Sequence, residues 1–184
     1  FFVGVYAVVI AVVVALVVGT IAALRRGRFA DTAATSGSVL GVSMPDFWLG
    51  YVLILIFALE LELLPAYGFT SPGESLIGAL TTGLLPAVAI SAPLAAVFSR
   101  TLRASILDNA RREYVNVAKS MGFSPVFVFV HYVFRNSLIP FIVVIGLQVR
   151  YLLGGVVVIE RVFGIPGLGS LMVDGAFGRD YPVV

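Results

Sequence analysis

Four long apolar runs, each closed by charge or by a turn, set the pattern of the chain. The first extends from Phe2 to Leu24 and ends at Arg25, Arg26 and Arg28. The second, about 47–64, follows the turn signal SMPD and stops before PAYGFTSPGE, whose proline, glycine and serine content reads as a loop. The third, about 77–98, ends at Arg100 and Arg103; the fourth, about 138–159, ends at Glu160 and Arg161. A bilayer core is crossed by about 20 apolar residues in a helix, so each run predicts one transmembrane helix. The alternation of a barrel strand is absent, and the runs exceed the roughly 10 residues such a strand needs. The predicted fold is an all-α membrane protein, a polytopic helical bundle with four transmembrane helices in a single domain over 1–184.

Composition supports the lipid reading. Of the 184 residues 60% are apolar and 12% charged, with a mean hydropathy of +1.07, outside the range of ordinary soluble domains. The net charge of +2 does not point to nucleic acid, because the 12 Lys and Arg gather at the ends of the apolar runs. Without cysteine there is no disulfide framework, thiol nucleophile or thiolate metal site. The chain begins on an apolar run with neither a Met nor a basic n-region, which excludes a cleaved signal peptide. Its two ends read as cuts in a longer chain.

Basic residues predict the orientation. Arg25, Arg26, Arg28, Arg100, Arg103, Arg111, Arg112, Lys119 and Arg135 fall on one side, against Arg161 and Arg179 on the other beside Glu60, Glu62 and Glu74. The positive-inside rule makes the first side cytoplasmic. The segment of about 104–136 is then a cytoplasmic loop, and 160–184 lies on the outer side. Pro86, Pro93 and Pro140 fall in or beside spans, where each frees a carbonyl and can kink a helix. They serve either as packing irregularities or as part of a gate.

The loop has a structure of its own. EYVNVAKSMG reads as a short helix, with Ala118 and Gly122 four residues apart on one face and Gly122 available to end it in the left-handed conformation. Ser124 and Pro125 then supply an N-cap and first position for a second helix through VFVFVHYVF. A DNA-reading helix-turn-helix is excluded, because this second helix offers Phe127, Phe129, Val130, Val133 and Phe134 where base edges require polar groups. The small face instead suits a socket or foot for a cytoplasmic partner, with Arg112 and Tyr114 as anchors.

EYVNVAKSMGFS…HYVFRNSLIP resembles the EAA-type loop of ABC-importer permease subunits, in the form found in dipeptide, oligopeptide and nickel permeases. GTIAALRRGRFAD, GVSMPDFWLG, LPAVAISAPLAAVFSRTLRASILD and GLQVRYLLGGVVVIERVFGIPGLGSLMVDGAFGRDYPVV extend the similarity over essentially the whole chain. The resemblance implies a coupling helix that docks in a groove of an ATP-hydrolysing subunit, with Ala118 and Gly122 at matching positions. Glu113 and Tyr114 match the peptide-permease version, while Asn116 and Val117 depart from the sugar-type motif; Lys119 lies on the same short helix. It also implies about six spans, this fragment holding approximately the second to the fifth. The partners would be a second homologous permease subunit, two ATP-binding subunits and an extracytoplasmic substrate-binding protein. Phe163, Pro166, Gly167 and Gly169 match the outer region where the binding protein would dock. No cofactor is expected on this chain; ATP and magnesium would be held by the partner ATPases, since no Gly-x-x-x-x-Gly-Lys-Ser/Thr loop occurs here. The substrate reading is peptide, with nickel or another small solute as the alternative.

Within the fourth run, Arg150 departs from the small residue usual in that family, with Gln148 two residues earlier and Gly154 and Gly155 close behind. A charge at mid-bilayer costs at least about 2.5 kcal/mol. It therefore faces either a pathway, attracting an anionic group such as a peptide carboxylate, or an acid of the partner permease. Glu160 and Arg161 read as a charge pair at the outer helix end, and Glu160 also matches the family's acidic position, a candidate outer gate. His131, the only histidine, reads as an interfacial packing residue rather than a metal ligand. Ser43 with His131 offers only a weak intramembrane serine protease pattern, because GVSMPD lacks a second glycine and Asp46 reads as an N-cap. A secondary transporter would want acids inside spans, which the runs do not provide.

Overall fold

The structure, a computed structural model, describes residues 2–178. Every regular element among them is helical: α1 (Phe2–Leu24), α2 (Phe29–Ser43), α3 (Asp46–Leu53) continuing as a wide π turn (Ile54–Glu60), α4 (Leu76–Asn109), α5 (Glu113–Ser120), α6 (Pro125–Val128) continuing through a second π turn (Phe129–Phe134) into α7 (Arg135–Gly155), α8 (Val157–Phe163) and α9 (Leu168–Gly178). Three helical stretches are long and apolar enough to cross a membrane: Phe2–Leu24, Leu76–Asn109 and Pro125–Gln148. A fourth candidate arises if Asp31–Ser43 and Asp46–Glu60 are counted together as one broken span.

Contacts divide the chain into two compact units, one of residues 1–10, 44–93 and 149–184 and one of residues 11–43 and 94–148. In the second unit, α1 presents a stripe of small residues. Ala11, Ala15 and Ala22 are buried, while Val13, Val17 and Ile21 are exposed as suits a lipid-facing side. Gly19 on the small stripe lets α4 approach so closely that an added Cβ would lie 2.9 Å from the Ser99 carbonyl oxygen. Where lipid is as apolar as leucine, such backbone approach is a principal means by which helices associate. Phe98 and Phe141 meet edge to face, with centroids 6.0 Å apart, above a core of Leu102, Ile106, Val128 and Val133. Across the polar edge Arg103 grips Asp31 with two parallel bonds, Nε to Oδ1 at 2.6 Å and Nη2 to Oδ2 at 2.8 Å. The Gly27 amide also donates to the Asp31 carboxylate, at 2.9 Å.

The first unit is organised around Phe163 and Ile159 of α8, both buried. Gly50 of α3 admits the Phe163 ring, whose Cε2 is 3.1 Å from where a Cβ would stand. The Gly68 amide donates to the Phe163 carbonyl at 2.9 Å. Gly164 ends α8 in the left-handed conformation at φ 64°, and Tyr67 fills the space that a side chain there would need.

Several boundaries differ from the apolar runs. The third run predicts a span ending at 98, but α4 continues to Asn109, about 51 Å in all; Arg100 and Arg103 mark a change of surroundings, not of backbone. Pro86 and Pro93 lie inside α4 without ending it. In the second run the helical stretch stops at Glu60. Glu62 takes a positive φ of 51°, and the amides of Leu63 and Leu64 turn back onto the Phe57 carbonyl. The fourth run breaks where α7 ends on Gly154 and Gly155, weak helix formers, before α8 begins. At its other end no separate loop helix precedes the span: backbone from Pro125 to Gly155 is continuously helical, because Arg135 and Asn136 are compatible with a helix although too polar for lipid. Within 160–184, expected as an outer segment, α9 forms; Arg179 lies outside the described residues. Asp46 is the first residue of α3 rather than its N-cap, which is Pro45, and its Oδ1 accepts from the next amide, Phe47, at 2.8 Å.

Candidate functional site

The short helix α5 stands between two long helical stretches and turns its polar side outward. Val115 and Ala118 are its buried stripe. Glu113, Asn116, Val117, Lys119 and Ser120 are exposed, and Tyr114 partly so, at 38%. Gly122 closes the turn at φ 84°, a conformation glycine enters without strain. Ser124 then caps the next stretch, its Oγ accepting from the Phe127 amide at 3.3 Å, with Pro125 in the first helical position. The helix, turn, helix expected at this point is thus present. The presumed small socket is not: Ala118 packs inward, so of the small pair only Gly122 is open to solvent.

Tyr114 also differs from a free anchor. Its hydroxyl donates to Asn109 Oδ1 at 2.9 Å, while Asn136 Nδ2 approaches Tyr114 Oη at 3.4 Å and donates to Tyr132 O at 2.8 Å. Asn109 Nδ2 reaches Ser105 O at 2.9 Å and Ser137 Oγ at 3.2 Å. Ser137 is fully buried and donates to Val133 O at 2.7 Å. The sequence reading missed Asn109 and Ser137; the only signal was a pair of small polar residues set in helices otherwise built for burial. Beside this network Phe127 stacks on His131, centroids 4.2 Å apart, and His131 Nδ1 lies 3.2 Å from Phe127 O. Ser43 donates to Val39 O in its own helix at 2.8 Å.

On the α8–α9 segment Glu160 does not pair with Arg161. Consecutive helical residues point about 100° apart, and the two side chains find different partners on α9. Glu160 Oε2 accepts from the Ser170 amide at 2.8 Å, placing a carboxylate at the electropositive N-terminus of α9. Arg161 pairs with Asp174. A Cβ on Gly167 would overlap the Glu160 carboxylate, and one on Gly169 would crowd Val157. These glycines make room for packing inside the segment, and Phe163 is buried against Gly50, so these three are not an exposed docking face. Pro166 lies between α8 and α9. A cavity of about 300 Å³ adjoins the segment, its wall formed by Phe2, Val5, Phe69, Leu152, Val157 and Glu160 among others. Glu160 is the ionisable group on that wall. Arg150 is exposed and Gln148 half-buried on α7; among the described residues Arg150 makes no ion pair.

The sequence of residues 15–184 matches the family model of the binding-protein-dependent transport system inner membrane component. The chain belongs to that family. Members of this inner-membrane family sit in a membrane, in keeping with the long apolar helices described above. Among relatives, the chain is similar to the dipeptide transport system permease protein DppB of Bacillus subtilis, with 42% identity over 184 residues, all of this chain and 57% of that protein. It is also similar to the glutathione transport system permease protein GsiC of Escherichia coli K12, with 40% identity over 174 residues, 95% of this chain and 54% of that protein. The chain therefore spans little more than half the length of these inner-membrane relatives, both of them transport permease proteins.

Proposed function

We propose that this chain is the membrane-spanning part of a permease subunit in an ATP-driven importer of small peptides, and that α5 is the element on which an ATP-hydrolysing partner acts. The observation that carries the reading is α5 itself, a short helix with a polar outer face, anchored at both ends to helices long enough to cross a bilayer. The relatives' names supply the substrate class, dipeptide and glutathione being short peptides. The α5 side is cytoplasmic, as the clustered Arg and Lys residues favour. Glu113, Asn116, Lys119 and Gly122 form the contact face, with the Tyr114 ring at its edge.

A complete importer contains a second homologous permease, two ATP-binding subunits that hold ATP and magnesium, and an extracytoplasmic substrate-binding protein. Arg150 lines the pathway shared with the second permease, with Gln148 and the Gly154–Gly155 break nearby, and attracts the peptide carboxylate. Its exposure on a membrane helix supports this, since a charge facing lipid is costly. Glu160 lies toward the outer end of the pathway.

The chain has no cysteine, so a single Cys at Asn116 or Ser120 of the full-length subunit reports α5 alone. Oxidative cross-linking to a Cys-bearing ATPase groove is expected at one or both positions. No cross-link at any position from 113 to 124 in an assembled complex would remove the coupling role. ATP hydrolysis by the reconstituted importer, titrated with a peptide panel and with nickel, tests the substrate: stimulation by nickel and not by peptides would overturn the peptide reading.

A further inference from the structure

The polar network beside α5 has a direction. The Tyr114 hydroxyl donates to the Asn109 amide oxygen, and Asn136 Nδ2 stands 3.4 Å behind it as donor. The Ser137 hydroxyl is committed to Val133 O, so toward Asn109 it can only accept, and the Asn109 Nδ2 group supplies the proton. The chain thus runs from Asn136 through Tyr114 and Asn109 to Ser137 and the Val133 carbonyl. Bonds aligned in this way reinforce one another, more so where Ser137 is wholly buried. Asn109 is the last residue of α4, Tyr114 belongs to the first turn of α5, and Asn136 and Ser137 to the first turn of α7. One side chain, Asn109, therefore joins all three helices.

The covalent connections around α5 are a three-residue turn at 110–112 and the segment 121–124. Alone, such connections let a short helix pivot. We propose that Asn109 is a positioning residue for transport: it fixes α5 against α4 and α7, so that a displacement of α5 is carried into both long helices instead of being absorbed by the turns. This rests on the reading of α5 as the element an ATPase moves. It assigns the Tyr114 hydroxyl to transmission inside the permease, leaving its ring for the partner.

The test uses the complete importer in vesicles, with a Cys at Ser120 for cross-linking to the ATPase and with dipeptide uptake and ATP hydrolysis measured together. In Asn109→Ala the cross-link is expected to persist while dipeptide transported per ATP falls about fivefold, the factor one neutral hydrogen bond is worth. Tyr114→Phe, which removes a single oxygen, must lower the same ratio. Because both act through one bond, the double variant is expected to be no worse than Asn109→Ala alone. An unchanged ratio with the cross-link intact, or fully additive losses, overturns the proposal while leaving the docking of α5 in place. Absence of the cross-link in the otherwise unsubstituted permease removes the docking reading and this proposal with it.

Discussion

Replacing Gly19 by Ala and Gly37 by Ala makes the same chemical change in two helices with opposite expected signs. At Gly37, on α2, nothing lies within 4 Å of an added Cβ. The substitution there gives only the helix-propensity gain of about 0.8–1.0 kcal/mol. At Gly19 the new methyl would sit 2.9 Å from the Ser99 carbonyl oxygen and 3.3 Å from Leu102 Cβ. A relaxed C···O contact needs about 3.3 Å or more, so α1 and α4 must separate by roughly 0.4 Å along the small-residue stripe. Overpacking of this kind costs about 1–3 kcal/mol. Set against the same propensity gain, Gly19→Ala is neutral to about 2 kcal/mol destabilising, and the two variants differ by about 1–3 kcal/mol. Denaturant titration of the purified full-length subunit in detergent, with both variants side by side, reads the difference directly. If Gly19→Ala is as stabilising as Gly37→Ala, the close approach of the two helices is wrong.

Phe163→Ala empties the space between α8 and Gly50 and is expected to cost about 3–5 kcal/mol; a loss under about 1 kcal/mol would show that this ring is not core. Arg103→Lys keeps the charge but cannot make the two parallel bonds to Asp31, so it should lower the thermal midpoint as Asp31→Asn does; full retention by Lys would mean that charge alone matters. Glu160→Ala removes the acceptor for the Ser170 amide, a charged bond of about 1.5–3 kcal/mol. Hydrogen exchange at that amide should quicken about tenfold or more, and unchanged exchange would refute the capping role.

Much of the architecture was legible because lipid imposes long apolar runs. The stretch Phe2–Leu24 could be read as a helix at sight, and the Ser124–Pro125 start followed from local chemistry alone. α2 was not visible, since ADTAATSGSVLGVS alternates small polar and apolar residues without a stripe, and its Asp31 finds a partner 72 residues away in Arg103. The continuity of Pro125–Gly155 was hidden because Arg135 and Asn136 interrupt the hydropathy but not the helix. At the candidate site, the outer face of α5 followed from its sequence. The inward turn of Ala118, the partners of Tyr114 and the Glu160–Ser170 contact did not, because each depends on residues brought together by turns whose geometry composition does not specify.

The π turn at Phe129–Phe134 has a consequence for how related chains must be compared. Its closing bond spans five residues, Arg135 N–H to Val130 O, so the helix carries an extra residue there relative to regular α geometry. Losing one residue from this stretch would restore ordinary winding and rotate everything beyond it by about 100°. Asn136 and Ser137 would then leave the side that faces Asn109 and Tyr114, although every residue type was retained. An insertion or deletion in this stretch is thus a change of azimuth rather than of length. Two sequences aligned with a gap a few positions away would appear to share a contact that only one of them makes.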